Sequence, residues 1–228
     1  MIHSAAIRDR SYWFDSGARF EEYYSFLFAE KKLRDQLFFP IAGDVFIDVG
    51  ASGGSWSIPA CMLGATVYAF EPNPMMRHML TQNIRMNECN SVYIINKAVS
   101  DMPGVTCFTD LPPYHESSMY SCDTPNTEVT SIDYFLNENY MMSKGLDWLK
   151  IDAEGNESKV IEGAREVIEI YKPKIFVENH VYKDKYIESE ILRNVQNIRA
   201  DYDYQYIPLV DVNPVKSNFV ATSYFFFF

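Results

Sequence analysis

Two places in this sequence gather residue types that could do chemistry. The first is FIDVGASGGSW, Phe46 to Trp56, where an apolar run ends in Asp48 and then Gly50, Gly53 and Gly54 crowd into a short turn with Ala51, Ser52 and, just beyond, Ser57. Glycine permits positive φ and lets a ligand press against bare backbone, and a helix that opens after such a turn offers unpaired N–H groups. Glu71 ends the run VYAFEPNP, followed by Pro72 and Asn73, and stands 21 residues after Gly50. That is the distance at which a carboxylate accepts hydrogen bonds from a ribose in dinucleotide-type folds. The second place is WLKIDAEGNE, which sets Lys150 and Asp152 two apart on one face of a strand, with Glu154 and Glu157 following.

A ligand can be chosen from these signals. A nicotinamide site expects G-x-G-x-x-G, because the pyrophosphate needs the second glycine's backbone, yet that position holds Ser52. Asp48 adds negative charge where a diphosphate would lie, and the same charge suits the ammonium and sulfonium groups of S-adenosyl-L-methionine. Methyl transfer from a sulfonium is an in-line displacement whose main demand is positioning, and an alcohol acceptor gains from a base. Asp152 is the first candidate for that base and for contact with the ligand. Glu154 follows in the turn, and FVENH brings Glu178 and His180 to the end of a later strand, where an imidazole titrating near neutrality suits proton transfer. Lys150 either joins the chemistry or neutralises Asp152 or Asp48, since buried charge must be paired. Glu157 reads as compensation of a helix dipole. Asp152, Glu154, Glu178 and His180 are also donors a hard cation accepts, but no closed metal spacing is present and no metal is expected.

The elements that position these residues alternate. DVFIDVG, ATVYAFEP, SVYIINKAV, LDWLKID and KPKIFVEN read as strands. SWSIPACMLG, NPMMRHMLTQNIRMN, SIDYFLNENY, NESKVIEGAREVIEIY and a stretch from about Lys185 to Arg199 read as helices. Residues Arg19 to Phe39 have helical spacing and predict a leading helix. YQYIPL and NFVATSYFFF are expected to pair as a terminal antiparallel hairpin. Repeated β and α segments imply an α/β fold, a doubly wound and mainly parallel sheet with helices on both faces. The expected organisation is a helical extension over residues 1–43 packed on one domain over 44–228. Asp101 to Thr130 breaks the pattern, with a short strand VTCFT inside it, and long irregular segments of this kind often cover a site.

The chain has 228 residues, a net charge of -11 and a pI near 4.8. That balance opposes a nucleic-acid backbone or an anionic membrane surface, and no basic patch offsets it. No run approaches a membrane span, the N-terminus lacks an apolar leader, and Cys61, Cys89, Cys107 and Cys122 show no paired or zinc-type spacing. Free thiols and a reducing cytoplasm are expected.

Several of these stretches together resemble the FkbM-type branch of class I S-adenosylmethionine-dependent methyltransferases. FIDVGASGGSWS is similar to that family's D-V-G-A-N-x-G-x-x-S turn, with Ser52 where Asn is usual. VYAFEPNP resembles V-x-A-F-E-P-x-P, NKAVSD resembles A-[LV]-S-D, TSIDYFL resembles T-L-D-x-L, and WLKIDAEGNESKVIEGA resembles K-I-D-x-E-G-x-E-x-x-V-L-x-G-A. The match runs in order from about Val45 to His180. The resemblance implies that Asp48 faces the methionine part, Gly50 and Gly54 shape the loop, Glu71 takes the ribose hydroxyls, and the loop from Ala98 and Val99 to Asp101 passes near adenine. Ser52 removes one amide donor from that set. The resemblance also implies an oxygen acceptor: a hydroxyl on a small sugar, polyol or natural product.

Overall fold

The computed structural model describes residues 2–7, 10–15, 40–108, 119–120, 123–139, 142–182, 188–208 and 219–227. Its first element is an antiparallel hairpin of β1 (Ile2–Ile7) and β2 (Arg10–Asp15), which the sequence reading does not foresee. The leading helix expected over residues 19–39 lies outside the described residues.

From Val45 the expected alternation follows. β3 (Val45–Val49), α1 (Ser57–Met62), β4 (Thr66–Phe70), α2 (Pro74–Met86) and β5 (Val92–Ile95) form two consecutive parallel crossovers. β6 (Ala98–Val99), β7 (Gly104–Phe108), β8 (Met119–Tyr120) and β9 (Thr127–Thr130) build a separate four-stranded sheet. α3 (Ile132–Glu138), β10 (Trp148–Ile151), α4 (Glu157–Glu162), α5 (Arg165–Tyr171), β11 (Lys174–Tyr182) and α6 (Glu188–Ile198) follow. β12 (Asp203–Pro208) and β13 (Phe219–Phe227) close the chain as the expected antiparallel hairpin. The main sheet has the order β12-β13-β11-β10-β3-β4-β5, with β13 antiparallel to both of its neighbours.

Strand periodicity divides the core between the two faces. On one face Val45, Ile47, Val49, Phe70, Leu149, Ile151 and Val177 pack beneath α3 to α6. On the other, Phe46, Val67, Ala69, Trp148 and Phe176 pack with Ile58 and Ala60 of α1 and Leu80 of α2. Each fully buried large apolar side chain contributes roughly 1.5–3 kcal/mol. Asp48 and Lys150 are the polar intruders on the second face, and they sit directly opposite each other in the β3–β10 register.

Three expectations need correction. SVYIINKAV is two strands, because after Ile95 the chain leaves the main sheet and Ala98 and Val99 pair with β9. NESKVIEGAREVIEIY is two helices. Gly163 packs so closely that a Cβ there would stand 2.1 Å from Ser100 O, and the Asp133 carboxylate accepts from Glu166 N and Val167 N to start α5 afresh. Cys107 is disulfide-bonded, so only Cys61 and Cys89 are free thiols among the described residues. No helix among those residues is long and apolar enough to cross a membrane.

Candidate functional site

The strand order reverses between β3 and β10, and in open α/β sheets ligands bind beyond the carboxyl ends of the strands at such a switch. A cleft opens there. Its walls include Gly50, Ser52, Glu71, Pro72, Ala98, Val99, Asp152 and Glu154, all singled out from the sequence. Val49, Phe70, Met76, Lys97, Phe108, Met119 and Ala153 complete it among the described residues.

The glycine turn is shaped by its neighbours. Gly50 has φ 72°, and a Cβ on it would stand 1.8 Å from Asp152 O, so no side chain fits between the two strands. Gly50 N and Ala51 N both donate to Phe70 O, which pins the turn to β4. Ser52 has φ 48°, a left-handed conformation that Asn adopts more readily than Ser. Ala51 and Ser57 are buried below the cleft, and Gly54 faces Leu80 and Ile58, so these three shape the turn without lining the cleft.

Glu71 is the carboxylate the turn organises. Its Oε2 accepts from Ser52 N at 2.8 Å and its Oε1 from Asn73 N at 2.7 Å, while the side chain is 6% exposed. Asn73 itself is a helix cap: its Oδ1 accepts from Met75 N and Met76 N at the start of α2. Burial raises the Glu71 carboxyl to about 7, against the lowering effect of the Asn73 and Ser52 amides and of the Lys150 and Arg77 charges. The unfolded carboxyl titrates near 4.5. Between those values the folded protein holds a proton the unfolded chain has lost, so this group's contribution to stability is present at low pH and falls as pH rises toward 7. The loss amounts to about 3 kcal/mol. Urea unfolding between pH 4.5 and 7.5, with Glu71→Gln as the reference, is expected to show that slope in the wild type and not in the variant; parallel curves would refute it.

Asp48 is not a cleft residue. It is fully buried, its Oδ2 accepts from Ser57 Oγ at 2.6 Å, and its Oδ1 lies 3.3 Å from Lys150 Nζ. The register places it against Lys150, beneath the turn, and not on the cleft wall. Lys150 Nζ also donates to Gly50 O at 2.8 Å and lies 3.3 Å from Asp152 Oδ2. Lys150 is 2% exposed, and it joins the two carboxylates to the turn's backbone from below the cleft.

After β10 the chain makes the turn that presents Asp152 and Glu154. Asp152 N donates to Val49 O, extending the β10–β3 pairing by one residue. Glu154 has φ 49° and Gly155 φ 96°. The buried Glu157 carboxylate accepts from Ala153 N at 3.2 Å and Gly155 N at 3.0 Å, so it fixes the turn and is more than a dipole partner. Asn156 donates to Val99 O at 2.8 Å and ties this turn to β6.

His180 lies within β11, opposite Ala221 of β13, because that strand runs on to Tyr182 rather than ending at Asn179. Its side chain is outside the described residues. Glu178 is buried. Among the described residues no three His, Cys, Asp or Glu side chains converge as a metal site would need. Phe108 and Met119 bring the irregular stretch over the cleft, while most of YHESSMYS lies outside the described residues. Met76 reaches the cleft from α2, where Ser52 Oγ is 3.4 Å from its Sδ. Helical spacing marks Met76 as inward-facing, but nothing in the sequence separates core from cleft.

A family model described as the methyltransferase FkbM domain matches residues 48–206. Among solved structures, the methyltransferase FkbM from Methylobacillus flagellatus KT is similar at 19% identity and a TM-score of 0.57, over 83% of this chain and 44% of that one. This chain therefore spans less than half the length of that relative. M. jannaschii TYW2 in complex with AdoMet is similar at 16% identity and a TM-score of 0.52, over 99% of this chain and 84% of that one. Aeropyrum pernix fibrillarin with natively bound S-adenosyl-L-methionine is similar at 11% identity and a TM-score of 0.51, over 87% and 73%. At such identities these likenesses show the shared fold. No curated protein matches the sequence.

Proposed function

Since the chain belongs to the FkbM methyltransferase family, we propose that it transfers a methyl group from S-adenosyl-L-methionine to a hydroxyl oxygen of a sugar, polyol or natural-product acceptor. The observation that carries this reading is Glu71, a buried carboxylate on the cleft wall whose two oxygens are each oriented by a backbone N–H. Each oxygen keeps a lone pair for a ribose hydroxyl. The cleft also fits a cation better than a diphosphate: Asp152 and Glu154 line it, and among the described lining residues Lys97 is the one cation. Gly50 leaves the floor bare between β3 and β10.

Bound there, S-adenosyl-L-methionine supplies a methyl group already activated by its sulfonium. The chain's part is positioning. Glu71 accepts the ribose hydroxyls, Pro72, Ala98 and Val99 flank the adenine, and the Gly50–Ser52 turn receives the methionine end. Asp152 receives the acceptor's hydroxyl proton on its carboxylate, and Lys150 holds that carboxylate at the cleft floor. Glu154 is the second acid within the same turn, and Phe108 and Met119 shield the cleft from water.

The test uses the full chain with isotope-labelled cofactor and a library of hydroxyl compounds, read by mass spectrometry. S-adenosylhomocysteine is expected to raise the melting temperature, as a specific ligand must, and label is expected on an acceptor oxygen. Stabilisation by NADH instead would point to an oxidoreductase. A folded, S-adenosylhomocysteine-binding sample that labels nothing would point to a binding module and overturn the enzyme reading.

A further inference from the structure

Away from the cleft, the fold brings together two thiols that stand 28 residues apart in the sequence, Cys61 and Cys89. Cys61 closes α1 and is half-buried; Cys89 lies between α2 and β5 and is buried. Both are free. α1 runs from the carboxyl end of β3 back toward the amino end of β4, which puts the pair at the rim opposite the cleft. Cys89 Sγ is 3.8 Å from Ile58 O, one turn before Cys61 on the same helix face. Ser91 Oγ is 3.3 Å from Cys61 Sγ and 2.8 Å from Ala65 O, so its single proton is shared between them.

The arrangement is asymmetric. Cys61 receives the Ser91 hydroxyl, and Cys89 donates to Ile58 O. The neighbouring Cys89 thiol, with a smaller contribution from Ser91, lowers the Cys61 thiol to about 6 against the effect of burial, whereas Cys61 and burial push Cys89 up. Cys61 is also the thiol that solvent reaches and that the Ser91 hydroxyl can stabilise as a thiolate, the nucleophilic form, while Cys89 is buried behind it.

We propose that Cys61 and Cys89 form an oxidisable dithiol site, at which Cys61 reacts with a hydroperoxide and Cys89 resolves the product as an intramolecular disulfide. In the first step Cys61 sulfur attacks the terminal peroxide oxygen. A sulfur–oxygen bond forms, the oxygen–oxygen bond breaks, and the alkoxide leaves and is protonated to the alcohol or, from hydrogen peroxide, to water. In the second, Cys89 sulfur attacks the Cys61 sulfenic acid, a sulfur–sulfur bond forms, and the hydroxide that leaves takes the Cys89 proton as water. Two electrons pass from the thiols to the peroxide. The disulfide would join the helix that follows the glycine turn to the segment after the helix that follows Glu71.

The full chain treated with stoichiometric hydrogen peroxide, alkylated and digested without reductant is expected to yield a peptide pair linked through Cys61 and Cys89 that dithiothreitol separates. Cys89→Ser is expected to accumulate a dimedone adduct at Cys61, and Cys61→Ser to give neither the link nor an adduct at Cys89. Without any substitution, the pH profile of Cys61 alkylation is expected to have its midpoint near 6 rather than near the ~8.5 of an unperturbed thiol. Both cysteines remaining alkylatable after peroxide, an adduct at Cys89 in place of Cys61, or a midpoint of ~8.5 would each overturn the assignment.

Discussion

Lys150→Met is expected to lower the unfolding free energy by about 3–5 kcal/mol, because removing one partner of a buried ion pair strands the charge that remains. Here two carboxylates are involved. Asp48 would keep only the Ser57 hydroxyl, and Asp152 would lose the ammonium 3.3 Å away. The carbonyl of Gly50, now accepting from Lys150 at 2.8 Å, would lose that donor as well, so the turn under the cleft loosens with the core. Urea unfolding at constant pH measures the effect. Adding Asp48→Asn to Lys150→Met is expected to restore a large share, since the stranded charge is then gone. A loss below ~1 kcal/mol in the single variant would mean that Lys150 does not carry the charge balance of the β3–β10 face.

Asp152→Asn is expected to reduce methyl transfer by about 10²–10⁴-fold, the usual contribution of a positioned general base, while S-adenosylhomocysteine affinity changes only a few-fold. Asn has nearly the shape of Asp and still accepts from Lys150, but it cannot take a proton. Single-turnover labelling, with the acceptor found in the hydroxyl library, separates the chemical step from binding. If the rate held while the acceptor was saturating, the base would have to be sought elsewhere, with Glu154 next on the same turn. Loss of cofactor affinity with an unchanged chemical step would make Asp152 a binding residue alone.

Much of this architecture was legible because it depends on local chemistry. The apolar runs of β3, β4, β10 and β11 and the glycine turn each carry their signal within a few residues. Glu71 was found by its distance from Gly50, since a βαβ unit of ordinary length returns the chain to the same edge. The reading failed where a remote contact overrode a local pattern. Helical periodicity runs through Gly163 without a break, and only the approach of Ser100 O and the Asp133 carboxylate divides the segment. The run from Ser91 to Val99 has strand character throughout, yet Ala98 and Val99 have β9 as their partner and not β4.

From its linear order alone, the protein's family, the succession of its strands and helices, and the placing of acids at strand ends could be read, because periodicity, capping and turn chemistry act over one or two turns of chain. Which acids look into the cleft was decided in three dimensions. Asp48 and Glu71 carry similar signatures as residues, but the β3–β10 register sets Asp48 against Lys150 under a covering helix, while the Ser52 and Asn73 amides hold Glu71 at the wall. The Cys61–Cys89 pair is likewise a product of helix packing. Burial and charge pairing depend on distances across strands and layers, and separation along the chain does not encode those distances.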